Sequence, residues 1–97
     1  MLWRVRISVR INTHALPPHL IEYLARVMDA RVWCQKRVRG MVIRMEKVIE
    51  ADSKEEARKT AEVMRTRFRN EIRRVLSHPS YPGRTYTRVT PCRAPAT

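Results

Sequence analysis

The chain has 97 residues, with 21 Lys and Arg against 9 Asp and Glu, a formal net charge of +12, and 43 % hydrophobic residues. That length holds one domain with one modest core, burying roughly 60–70 % of the unfolded surface. The apolar fraction is too high for a fully disordered basic tail, and a domain that repels itself this strongly calls for a polyanionic partner.

Residues 2–11 alternate strictly. Trp3, Val5, Ile7, Val9 and Ile11 fall on one face; Leu2, Arg4, Arg6, Ser8 and Arg10 fall on the other. Such alternation predicts a half-buried strand. The same period separates this acid-free start from an Arg-rich transit helix. Asn12 to Leu16 reads as a loop. Pro17 and Pro18 suit a helix start, where no N–H is needed. Leu20, Ile21, Leu24, Val27 and Met28 recur at helical spacing, so a helix is predicted over 17–29.

Two strands follow, 31–38 and 41–50, hinged at Arg39-Gly40. Val32, Cys34 and Val38 alternate in the first. Met41, Ile43, Met45 and Ile49 alternate in the second, with Lys47 as the odd member. Gly40 stands where a tight hairpin needs a permissive backbone. Ser53 followed by Glu56 forms a capping box that opens a long helix. Its apolar stripe is Ala57, Ala61, Met64, Phe68, Ile72 and Val75, and it should end near Ser77-His78, before Pro79. From there the composition shifts to four of the six prolines and no acid. We divide the chain into an α+β domain over 1–77 and a basic, Pro-containing extension over 78–97. Within the extension Arg84 to Thr90 alternates weakly and offers a closing strand, and Pro91 to Thr97 reads as a tail that is disordered or ordered by a partner.

The order β-α-β-β-α, with this closing strand, is the split β-α-β pattern of ferredoxin-like folds, with two helices on one face of the sheet. The strand order also resembles that of RNA-recognition-motif domains. That family carries aromatics on its two central strands. Here the corresponding strands read Trp3-Arg-Val-Arg-Ile-Ser-Val and Met41-Val-Ile-Arg-Met-Glu-Lys, with Arg at outward positions, so the resemblance is one of topology.

Three arginine surfaces emerge. On the open sheet face, Arg4, Arg6, Arg10 and Arg44 should point away from the helices, with Arg31, Trp33, Gln35, Arg37 and Arg39 on the same side. Guanidinium forks bind phosphate bidentately, and Trp33 offers a stacking platform. On the second helix, Arg65, Arg69 and Arg73 lie outside the apolar stripe, beside Arg58, Arg67 and Arg74. Glu62 and Glu71 can pair with only some of these. In the extension, Arg84, Arg88 and Arg93 accompany Tyr81 and Tyr86.

Catalytic signatures are missing: there is no nucleophile elbow, Walker loop, H-E-x-x-H or paired-carboxylate motif. His14, His19 and His78 are too far apart for local metal ligation, so we expect no enzyme activity, no cofactor and no metal. Cys34 and Cys92 form no disulfide framework and suit reduced thiols in the cytoplasm. The longest stretch without a charged residue, 11–21, holds two prolines and cannot span a bilayer. The expected partner is RNA, structured and rRNA-like, with the protein a non-enzymatic component of a ribosome or other ribonucleoprotein. The alternatives are a DNA-binding, nucleoid-type protein and a non-catalytic subunit of a homo-oligomer or larger assembly.

Overall fold

The computed structural model describes residues 1–78 and 81–92. Its elements run β1 (Leu2–Ile11), α1 (Leu20–Met28), β2 (Arg31–Lys36), β3 (Met41–Glu50), α2 (Lys54–Leu76) and β4 (Thr85–Pro91). The strands form one sheet in the order β2-β3-β1-β4, every neighbouring pair antiparallel. Both helices cover one face, and the other is open: the ferredoxin-like α+β arrangement expected from the element order. Among the described residues no helix is long and apolar enough to cross a membrane.

The alternation of β1 translates directly into burial. Val5, Ile7 and Val9 are fully buried under the helices with Ile43 and Met45 from β3, and Leu24, Phe68 and Ile72 close the core from above. A smaller cluster at the end of β1 packs Trp3 against Ala51 and Ala57. Trp3 Nε1 donates to the Ala51 carbonyl at 3.2 Å, so this buried ring loses no hydrogen bond. The odd Lys47 points to the helix side, where its stem covers apolar surface and its Nζ lies 3.6 Å from Asp29 Oδ2 at the end of α1. Cys34 packs beside the core as a small filler, and its burial pushes the thiol pKa up.

α2 begins as its capping box dictates. Ser53 Oγ accepts from Glu56 N at 3.2 Å, while Glu56 Oε2 accepts from Asp52 N at 3.0 Å, one residue earlier than the usual reciprocal bond. The helix stops at Ser77, whose N–H returns to the Arg73 carbonyl.

Two boundaries differ from the sequence reading. The first helix starts at Leu20, not 17, because His19 adopts a left-handed backbone (φ 66°), and the residue before a proline is steered away from helical geometry. Pro17 and Pro18 shape the entry turn instead, with Leu20 N donating to the Pro17 carbonyl. β2 ends at Lys36, not Val38. The register Lys36↔Met41 leaves 37–40 as the turn, closed by Arg37 N donating to Gly40 O at 3.0 Å. Val38 is thereby 96 % exposed instead of part of the inward alternation.

Gly40 holds that turn with φ +91°, and a Cβ there would lie 2.1 Å from the Ile11 carbonyl oxygen. Gly40→Ala is expected to lower unfolding free energy by at least about 1–3 kcal/mol, the usual cost of a strained backbone, as read by urea denaturation.

β4 forms the closing strand on the free edge of β1, so Arg84, Tyr86 and Arg88 are held at the sheet. Gly83 N donates to the Arg10 carbonyl, Arg10 N to the Arg84 carbonyl, and Cys92 N to the Leu2 carbonyl. The part of the expected tail beyond Cys92, including Arg93, lies outside the described residues.

Candidate nucleic-acid interface

Strand register sorts the open face into rows. One row runs Arg31, Glu46, Arg6, Arg88 across β2, β3, β1 and β4; the next runs Trp33, Arg44, Ser8, Tyr86. Arg10 lies beside Val42 in the row beyond. The expected outward set Arg4, Arg6, Arg10, Arg31, Trp33, Gln35 and Arg44 is therefore on one surface, joined by Arg88 and Tyr86 from β4.

The charges on this face are not equivalent. Glu46 takes the Arg6 guanidinium at 2.7 Å and Arg4 Nε at 3.3 Å, so these two arginines are internally paired. Arg10, Arg31, Arg37, Arg44 and Arg88 have no carboxylate partner among the described residues. Arg88 stands directly opposite Arg6, a like-charge arrangement that the Glu46 carboxylate bonded to Arg6 partly offsets. Arg10, Arg37 and Arg44 converge with Ser8, Val42 and Tyr86 on a depression of about 420 Å³. Arg44 is steered there by Gln35, whose Oε1 accepts from its Nη1 at 2.6 Å. Arg37 belongs to the turn, and His14 braces that turn by accepting from Gly40 N at 3.2 Å.

Trp33 is half-buried, with the Arg31 guanidinium 4.9 Å and the Arg6 guanidinium 5.7 Å from its ring centroid. Its ring thus orients two guanidiniums before any base can stack on it. Tyr86 is the more open aromatic, at 56 % exposure. Counting strand spacings, it lies roughly 14 Å from Trp33 across the sheet.

The remaining sequence candidates do not join this face. Arg39 is exposed at the turn, outside the depression. Arg73 is exposed on the late turns of α2. Arg69 turns inward and donates to the Gly83 carbonyl at 2.7 Å and to Thr85 Oγ1, tying α2 to β4. Burial first, then the neighbouring Arg65 and Arg73, lower its pKa. Arg65 and Arg84 flank it in a cleft on the helix side.

Sequence reasoning missed two members of the open face. Glu46 could have been found by extending the β3 alternation outward from Arg44. Tyr86 required the pairing of β4 with β1. Among the described residues no group of three or more His, Cys, Asp or Glu could hold a metal ion. Comparison of the chain with protein-family models, curated proteins and solved structures gave no match.

Proposed function

We propose that this domain is a non-enzymatic, cytoplasmic RNA-binding protein, a component of a ribosome or other ribonucleoprotein, and that its open sheet face is the contact surface. The observation that carries this reading is the row Trp33, Arg44, Ser8, Tyr86, flanked by the unpaired Arg10, Arg31, Arg37 and Arg88. Aromatic rings at both sheet edges with guanidiniums between them match what an unstacked, phosphate-linked strand offers. Sheet geometry favours this over duplex DNA. Four strands span roughly 14 Å between outer backbones before side chains are added. The B-DNA major groove, about 12 Å wide, admits a helix or a two-stranded ribbon. A ligand laid over the face, as a loop or single strand of structured RNA can be, suits this width.

Competition at one salt concentration tests this. A hairpin RNA with an unpaired loop should displace a labelled RNA at least about tenfold more effectively than double-stranded DNA of equal phosphate count. Equal displacement by the two would move the assignment to a general polyanion binder.

Glu46 supplies a second test with an unusual sign. Glu46→Gln frees Arg4 and Arg6, so RNA binding should strengthen by roughly three- to tenfold and its salt dependence should steepen by about one to two contacts. Weaker binding of this variant would mean that the Glu46 pairs preorganise the site.

A further inference from the structure

The helix side of β4 carries a second cluster of positive charge that the open face does not use. Arg65 and Arg69 from α2 and Arg84 just before β4 line one cleft of about 470 Å³, with Thr66, Asn70 and Thr85 as its polar neighbours. Among the described residues its lining contains no carboxylate. Glu62, three residues before Arg65 on α2, forms a long, exposed ion pair with it at 3.8 Å, a contact worth little in water. Arg69 is fixed in place by the Gly83 carbonyl and Thr85 Oγ1. The neighbouring Arg65 and Arg73 repel the fixed Arg69 guanidinium, and an anion in the cleft would relieve that repulsion.

The geometry points to a phosphate-binding cleft at the seam of α2 and β4. Arginines from α2 and from the segment before β4 line one cleft, and a tetrahedral oxyanion, which accepts hydrogen bonds in several directions, suits such a lining, whereas one guanidinium fork already satisfies a carboxylate. Two sources supply such a group: free inorganic phosphate, or the backbone of a polynucleotide. The second source rests on the RNA reading of the sheet face. β4 is an edge strand with Tyr86 and Arg88 on its open side and Thr85 on its helix side. A strand leaving the open face beside Arg88 can turn over this edge and place a phosphate between Arg65 and Arg84.

Amide NMR of the full chain tests the cleft directly. Sodium phosphate and a short oligouridylate are titrated separately, each against sodium chloride at matched ionic strength. The amides of Gly83 and Thr85 report the cleft; the Trp33 indole and Ser8 amide report the sheet face. Arg65→Ala/Arg84→Ala removes two cleft guanidiniums and leaves the structural Arg69 in place. A saturable shift of Gly83 and Thr85, lost in this double variant, supports the cleft. Its appearance with oligouridylate assigns the backbone, and its appearance with phosphate alone assigns the free ion. Gly83 and Thr85 shifts no larger than chloride produces, in both titrations, would overturn it. Trp33 and Ser8 record the fate of the sheet-face reading separately, because they lie on the opposite side of the sheet.

Discussion

Replacing Arg10, Arg44 and Arg88 together by Glu is expected to weaken RNA binding by at least about 100-fold while leaving the fold intact. Each of these guanidiniums lies on the open face without a carboxylate partner among the described residues. A charge-assisted hydrogen bond contributes about 1.5–3 kcal/mol before solvent screening, so three lost contacts exceed 100-fold even after a generous discount. Reversal adds repulsion to that loss. Arg10 and Arg88 are exposed, and none of the three fills the core, so the circular dichroism spectrum should be unchanged. Filter binding at fixed salt reads the effect. Arg39→Glu, at the exposed turn outside the depression, is the matched control and should cost severalfold less. Equal losses from the triple variant and from three reversals on α2 would show that net charge, not the face, governs binding.

Phe68→Ala should cost about 3–5 kcal/mol of stability, the largest effect of any single truncation considered. Phe68 heads the fully buried side chains, and it seats α2 against the sheet through the same stripe as Ala61 and Ile72. Domains of this size have about 5–15 kcal/mol in total, so the variant would sit near the edge of folding. The melting temperature should fall by about 12–40 °C, at roughly 4–8 °C per kcal/mol. Val63→Ala on the same helix, where the side chain is 70 % exposed, should change stability by no more than about 0.5 kcal/mol. A small Phe68→Ala effect would mean that α2 is anchored chiefly from its ends, through Ser53 and the Arg69 bonds to β4.

The features legible in the chain were those written within one element. Strict alternation marks β1 because one face of ten consecutive residues is apolar. α2 announces its start through Ser53 and Glu56 and its buried stripe through a spacing that only a helix brings together. Features that depend on two distant segments were not legible. Glu46 neutralises Arg4 and Arg6 across a strand pair whose partners are about 40 positions apart, so a count of arginines overstated the free charge on the face. Arg69 looked like a solvent-facing phosphate contact until β4 brought Gly83 and Thr85 to it. Val38 continues an apolar alternation on paper, yet the turn set by Gly40 ends the strand two residues earlier. The left-handed backbone at His19 has no marker in the sequence, because histidine is not a residue that requires it.

The total of +12 is thus unequally available. Part of it is consumed inside the fold by Glu46, Glu62, Glu71 and Asp29, whereas Arg10, Arg31, Arg37, Arg44 and Arg88 on the open face have no carboxylate partner among the described residues. The affinity of the intact chain for a hairpin RNA, followed from about 50 to about 200 mM salt, tests this most directly. The five unpaired arginines of the open face predict a plot of log K against log salt with a slope of about −3 to −4, at roughly 0.7 per phosphate on a single strand. A slope near zero, or no binding at the lowest salt, would contradict the assignment of that face to RNA.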